Sequence, residues 1–264
     1  MSLEACAVTF AYPRNEPVIH DISLALDPGE TVVLVGANGS GKSTLLRVLS
    51  GYLCPQSGTV HLKGRMIHRL SAQHIARRVA SLEQQPTMAL DFTVREIVEM
   101  GRLPHLGPLR RMKTADHRAV TDALLMTNTA ELADRSIHAL SGGEQQRAFL
   151  AMAFAQSPDV LLLDEPTRHL DVHYQIETME LIRQRAAAGL SVLVALHDLN
   201  HAAAYGDRVA VMHHGRLRVV GPPESVLSES LIREAFNLAC HVVDVPSLDR
   251  RLIVPVEPRN DLST

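Results

Sequence analysis

The sequence predicts an α/β fold organised around a phosphate-binding loop, and three observations predict it. Gly36-Ala37-Asn38-Gly39-Ser40-Gly41-Lys42-Ser43 reads G-x-x-x-x-G-K-[ST], between an apolar, β-branched run at Thr31–Val35 and a stretch from Lys42 to Leu49 with Leu45, Leu46 and Leu49 at helical spacing. Asp159–Leu163 is a second apolar run, and it feeds the acidic pair Asp164-Glu165. Ser191–Leu196 is a third, ending in His197-Asp198 at the strand end where open α/β sheets bind ligands.

Each further element has a local cause. Leu3 to Tyr12 alternates loosely and predicts an edge strand, with Tyr12 just before Pro13; Val18–Leu26 predicts a second strand, turned by Asp27-Pro28-Gly29-Glu30. Thr59–Leu62 predicts a strand after a Pro/Gly loop. Ser71 is placed to cap a short helix through Arg78, and Val79–Leu82 is a strand leading to Glu83, Gln84 and Gln85. Thr93 with Glu96 three residues on is a capping box, and Thr114–Thr127 has helical spacing, so the region from Gln84 to about Ala139 reads as a helical insertion. Leu140-Ser141-Gly142-Gly143-Glu144 opens a helix through about Ala155. Its small-residue start suits an anion, but Ser141 and Glu144 also fit plain capping. A helix over His173–Ala187 stops at Gly189. Val209–Met212 and Leu217–Val220 form a hairpin around His213-His214-Gly215-Arg216. Pro222-Pro223-Glu224 and Leu231–Phe236 begin short helices, and His241–Val245 with Leu252–Val256 makes a late hairpin.

The chemistry explains the residue types. Triphosphate oxygens need several donors converging on one point. Small residues let backbone N–H groups turn inward, and the following helix adds its positive end. Lys42 can reach the β- and γ-phosphates, the Ser43 hydroxyl can ligate Mg²⁺, and Thr44 can add a hydroxyl on the α-phosphate side. At the acidic pair one carboxylate can hold Mg²⁺ and the next can orient or deprotonate the attacking water. Tyr12 can stack on a base or simply line the rim, and His197 by itself fits a structural role as well as a ligand role.

Composition bounds the partners. The 264 residues are 46% hydrophobic and 21% charged, with a net charge of −3 that implies no nucleic-acid partner. Cys6, Cys54 and Cys240 are scattered and odd in number, as in a reducing compartment. No run of about 18 apolar residues occurs, and Met1-Ser2-Leu3-Glu4 has no secretory pattern. The 14 histidines are dispersed, with no metal-ligand spacing.

Taken together, Gly36–Ser43, Gln84 (or Gln85), Leu140–Glu144, Val160–Asp164 with Glu165, Leu170-Asp171 and His197 occur in the order of six motifs of one family. The chain from about residue 3 to 256 resembles the ATP-binding subunit of an ABC transporter. The resemblance implies a P-loop NTPase cassette: a RecA-like core, an antiparallel β subdomain, a helical signature subdomain at about 85–155, and a C-terminal hairpin at about 241–257, all in one domain over 1–264. It implies that Gly36, Ala37, Asn38, Gly39, Ser40, Gly41, Lys42, Ser43 and Thr44 bind ATP, with Tyr12 stacking on adenine. Glu165 would be the general base, and His197 a γ-phosphate contact. Ser43, Gln84 and Asp164 would lie on the Mg²⁺ side, and Asp171 would cross the dimer. It implies a head-to-tail pair of copies, in which Leu140, Ser141, Gly142, Gly143 and Glu144 of one chain meet ATP on the other.

Gly51-Tyr52-Leu53, Phe92-Thr93-Val94, Met100-Gly101-Arg102-x-Pro104-His105 and Leu196-His197-Asp198-Leu199-Asn200 resemble the importer subgroup for iron-siderophore, haem and cobalamin. That subgroup implies a membrane permease, a substrate-binding protein and a place on the cytoplasmic face of the membrane. A cassette of another importer or exporter class is the nearest alternative. A nucleic-acid- or ribosome-associated ATPase is another, against which stand the negative charge and the single cassette. The sequence departs from the family pattern at Arg168, where a small residue is usual, and at Met152, where Arg is common.

Overall fold

The computed structural model describes residues 1–83, 90–107, 111–168, 170–246 and 250–256. The chain opens with strands β1 (Leu3–Phe10) and β2 (Ile19–Leu26), then β3 (Thr31–Val35) and helix α1 (Lys42–Leu49). Strands β4 (Ser57–Leu62) and β5 (Arg65–Met66), helix α2 (Ala72–Ala76) and strand β6 (Val79–Leu82) follow. Three helices come next: α3 (Val94–Met100), α4 (Thr114–Met126) and α5 (Gly142–Ala155). The chain returns through β7 (Val160–Asp164), α6 (Val172–Ala187), β8 (Ser191–Ala195), α7 (Leu199–Tyr205), β9 (Arg208–His213) and β10 (Arg216–Gly221). It closes with α8 (Pro223–Val226), α9 (Glu229–Phe236), β11 (Cys240–Val245) and β12 (Arg250–Pro255).

A six-stranded sheet in the order β10-β9-β3-β8-β7-β6 forms the centre. Strands β9, β3, β8, β7 and β6 run parallel, and only β10 is antiparallel. Strands β3, β7 and β8 are buried at every residue, which is why they read as unbroken apolar runs. Their side chains alternate between two cores. Val32 and Leu34 face a core shared with α1 and the antiparallel sheet, while Val33 and Val35 face the core under α3 to α9.

The second sheet, β2-β1-β4-β5, is antiparallel. It corrects one expectation: β1 is not an edge strand, because β4 pairs along its other side. That partner lies some fifty residues downstream and leaves no mark in the alternation of β1 itself.

The helical layer is held by its caps. Thr93–Glu96 and Ser141–Glu144 both form complete capping boxes. Below them, buried Arg102 donates Nε and Nη2 to Asp116 at 3.0 and 2.9 Å and Nη1 to the Ala155 carbonyl at 2.7 Å. One guanidinium therefore ties the segment after α3 to the start of α4 and the end of α5.

Candidate active site

Three neighbouring parallel strands deliver the polar residues. Strand β3 ends at Val35 and enters the phosphate loop. Its neighbour β8 ends just before His197, and β7, beyond β8, ends in Asp164-Glu165. The ends are laced together by the Leu196 N–H donating to the Leu34 carbonyl at 3.0 Å and the Glu165 N–H donating to the Ala195 carbonyl at 3.0 Å.

The loop is shaped by contacts that only glycine permits. A Cβ on Gly36 would lie 2.3 Å from the Met212 carbonyl oxygen and 2.7 Å from Ser40 Oγ. Gly41 adopts φ +101° at the N-cap of α1, so the helix begins directly from the loop. Lys42 folds back into it, with Nζ donating to the Gly36 carbonyl at 2.7 Å and the Ala37 carbonyl at 3.4 Å. The Ser40 hydroxyl is buried and has no hydrogen-bond partner.

The charges are arranged around buried groups. Burial pushes the Lys42 ammonium below its ordinary pKa, while Glu165 and Asp164 pull it back up. Burial pushes Asp164 above the ordinary carboxylate range and the charge of Glu165 adds to that, against a hydrogen bond from Ser43. A buried carboxylate and a neighbouring serine hydroxyl are an oxygen donor set that suits Mg²⁺, and the strain on ionised Asp164 is what a divalent cation would relieve.

Glu165 is held at φ +51°, a conformation that few residues other than glycine adopt. Its side chain is only 12% exposed, and Oε2 lies 3.6 Å from Arg168 Nη1. The residue that departs from the family pattern thus makes an ion pair with the carboxylate next to the strand end.

Tyr12 is half-buried beside α1. Its hydroxyl is 3.3 Å from Thr44 Oγ1, and its ring meets Phe10 edge-on at 5.0 Å. His197 is exposed at the end of β8. Ser141 is also exposed: its N–H and hydroxyl donate to Glu144 Oε2, both at 2.8 Å, and its Oγ accepts from the Glu144 N–H at 3.3 Å. These contacts, the Ser141 N–H first, hold the Glu144 carboxyl below its ordinary pKa. Leu140 is buried, and Gly142 and Gly143 begin α5. Asp171 caps α6, with Oδ1 accepting from the Tyr174 N–H at 3.1 Å. The structure therefore brings Lys42, Ser43, Asp164 and Glu165 together. Among the described residues no hydrogen bond or ion pair joins Ser141–Glu144 to that group; their polar contacts stay within their own cap. Gln84 and Gln85 lie outside the described residues.

Sequence reasoning named Asp198 and Asn200 but missed the helix they open and its contact with the C-terminal hairpin. Helix α7 is capped by Asp198, which accepts from the Asn200 and His201 N–H groups at 2.7 and 3.1 Å. Asn200 then pairs with both backbone groups of Ile253, pinning the C-terminal hairpin behind the His197 strand end. The Asp198-Leu199-Asn200 run carried the N-cap signal for this helix.

Residues 19–168, more than half of the chain, match the family model described as ABC transporter. The chain belongs to the ABC transporter family. This ABC cassette is 39% identical over 249 residues to the achromobactin transport ATP-binding protein CbrD of Dickeya dadantii, covering 94% of this chain and 92% of that one. It is 43% identical over 241 residues to the hemin import ATP-binding protein HmuV of Rhodococcus jostii, covering 91% and 82%. The dimeric structure of MJ0796, a bacterial ABC transporter cassette, superposes with a TM-score of 0.75 at 26% identity, over 84% of this chain and 98% of that one. The expected cassette fold is thus observed, and the chain is an ATPase subunit whose hydrolysis is coupled to transport. Among the described residues no helix is long and apolar enough to cross a membrane.

Proposed function

We propose that this cassette drives import of an iron chelate, haem or corrinoid, burning ATP at a head-to-tail interface between two copies. The observation that carries the two-copy reading is the division of the site. Lys42, Ser43, Asp164 and Glu165 converge at adjacent strand ends, whereas among the described residues the side-chain hydrogen bonds of the exposed Ser141 turn stay within its own cap. The turn sits at the N-terminus of a 14-residue helix, whose partial positive charge suits a γ-phosphate supplied by a partner copy.

In this reading the N–H groups of Gly36–Thr44 surround the phosphates, and Lys42 exchanges its carbonyl contacts for β- and γ-oxygens. Tyr12 offers its ring to adenine. Ser43, Asp164 and Gln84 would hold Mg²⁺, which supplies charge neutralisation at the transferred phosphoryl group. Glu165 turns from Arg168 to accept the proton of the attacking water, and His197 donates to the γ-phosphate. Asp171, now capping α6, faces the partner. Closure around two nucleotides and release after hydrolysis is then a two-state clamp that moves membrane permease subunits fed by a substrate-binding protein. Such a subunit sits on the cytoplasmic face of the membrane. The names of the achromobactin and hemin relatives favour this cargo range.

The test is Glu165→Gln. It is expected to bind Mg-ATP, sediment as a dimer and hydrolyse about 10²-fold or more slowly. A monomer with near wild-type turnover contradicts the proposal.

A further inference from the structure

A second cluster of chemistry-bearing side chains lies in the antiparallel sheet. Glu4 and His61 are direct partners in the β1–β4 register. Cys6 stands two residues beyond Glu4, so pleat alternation puts all three on one face. It is the outer face, since Leu3, Ala5, Val60 and Leu62 are buried in the core on the other. The Glu4 carboxylate, the Cys6 thiol and a His61 ring nitrogen all lie within 4.8 Å of one another, each on a half-buried residue.

We propose that Glu4, Cys6 and His61 form a binding site for a divalent transition metal of the zinc class. One oxygen, one thiolate sulfur and one imidazole nitrogen match the donor preference of such ions, and three protein ligands leave a fourth position for water. Bond lengths of about 2.0–2.3 Å in a tetrahedral arrangement put ligand atoms roughly 3.5 Å apart. The three atoms therefore need to close by about an ångström, within reach of side-chain adjustment alone.

The backbone under the site is set. Directly after Cys6 the strand bulges at Ala7, φ +50°, and a Cβ on Gly58 would lie 2.3 Å from the Ala7 carbonyl oxygen. Gly58 thus lets β4 press against the bulge, which fixes the register beside the ligands. Without an ion, burial and the neighbouring Glu4 raise the Cys6 thiol above its ordinary pKa. A divalent ion reverses that balance. It forms a bond to sulfur, the thiol proton leaves to solvent, and nothing is oxidised or reduced.

The experiment uses the full chain, stripped of metal and free of nucleotide, with Co²⁺ as the probe. Wild type is expected to develop the visible bands of tetrahedral cobalt and a near-ultraviolet sulfur-to-cobalt band, both displaced by Zn²⁺. Cys6→Ser removes the sulfur band. His61→Ala and Glu4→Gln, which leave the thiol in place, weaken binding by at least about tenfold. Cys54→Ser, at an exposed cysteine elsewhere, changes neither. Metal raises the melting temperature of wild type but not of His61→Ala, and basal Mg-ATPase is the same in all four. Absence of the bands in wild type, or bands unchanged in Cys6→Ser or His61→Ala, overturns the proposal.

Discussion

Ser141→Ala separates a cap from a catalytic contact. Among the described residues of the isolated chain, Ser141 Oγ bonds only within the capping box of α5. Losing an N-cap side chain costs about 1 kcal/mol, and 2 at most. Against a domain stability of roughly 5–15 kcal/mol, that leaves about 99% or more of the molecules folded. The melting temperature is expected to fall by only about 2–4 °C per kcal/mol for a chain of this size. If the same hydroxyl donates to a γ-phosphate of the partner's ATP, a charge-assisted hydrogen bond worth about 1.5–3 kcal/mol goes with it. Realised in the transition state, that is roughly a 10- to 150-fold drop in turnover. The assay is steady-state ATPase at saturating Mg-ATP beside a thermal melt of the same preparation. A melt lowered by a few degrees with turnover within twofold of wild type would show that Ser141 is a cap and nothing more.

Other perturbations follow from the same geometry. Asp164→Asn is expected to raise the melting temperature of the nucleotide-free protein by a few degrees while abolishing Mg²⁺-dependent turnover. A carboxyl whose folded pKa is raised destabilises the fold wherever it is ionised, so neutralising it helps the fold and removes the cation ligand. Arg168→Ala should speed turnover modestly, by about fivefold at most, because a pair open to solvent on its arginine side and worth about 0–1 kcal/mol no longer has to open before Glu165 meets water; unchanged or slower turnover refutes the restraint. Asp116→Ala strands the buried Arg102 charge and should cost about 3–5 kcal/mol, read from urea midpoints. Stability should also fall with acid. Asp116 is depressed chiefly by the Lys113 N–H, and Glu144 by that of Ser141. Both contributions are complete above the unfolded values of 3.8 and 4.5 and are lost as pH drops through the lower folded ones.

Much of this site was legible because its determinants are local. The loop needs glycine at Gly36 and Gly41 for reasons of contact and φ, and Lys42 and Ser43 follow at fixed offsets, so Thr31–Val35 and Lys42–Leu49 are found as predicted. Both capping boxes are signals of two residues three apart, and both are present. What escaped depends on pairing at a distance. The interior place of β1 is decided by β4, and the two-residue strand β5 by β4 as well. The contact of His61 with Glu4 and Cys6 comes from the same pairing, which no spacing within one strand could reveal. The Arg168–Glu165 pair is different again: the odd residue was visible, but its partner depends on the left-handed backbone at Glu165.

The most direct test of a shared site is complementation between two inactive chains. Lys42→Ala removes the phosphate contact and Ser141→Arg blocks the signature turn, so neither variant alone is expected to hydrolyse ATP. In a mixed dimer the Lys42 of one chain meets the Ser141 of the other, and one intact site is rebuilt. Equal mixing should restore activity above that of either variant, up to about a quarter of wild type, since half the dimers are mixed and each carries one good site. If the mixture hydrolyses no more than its two components measured apart, each chain works alone and the account fails.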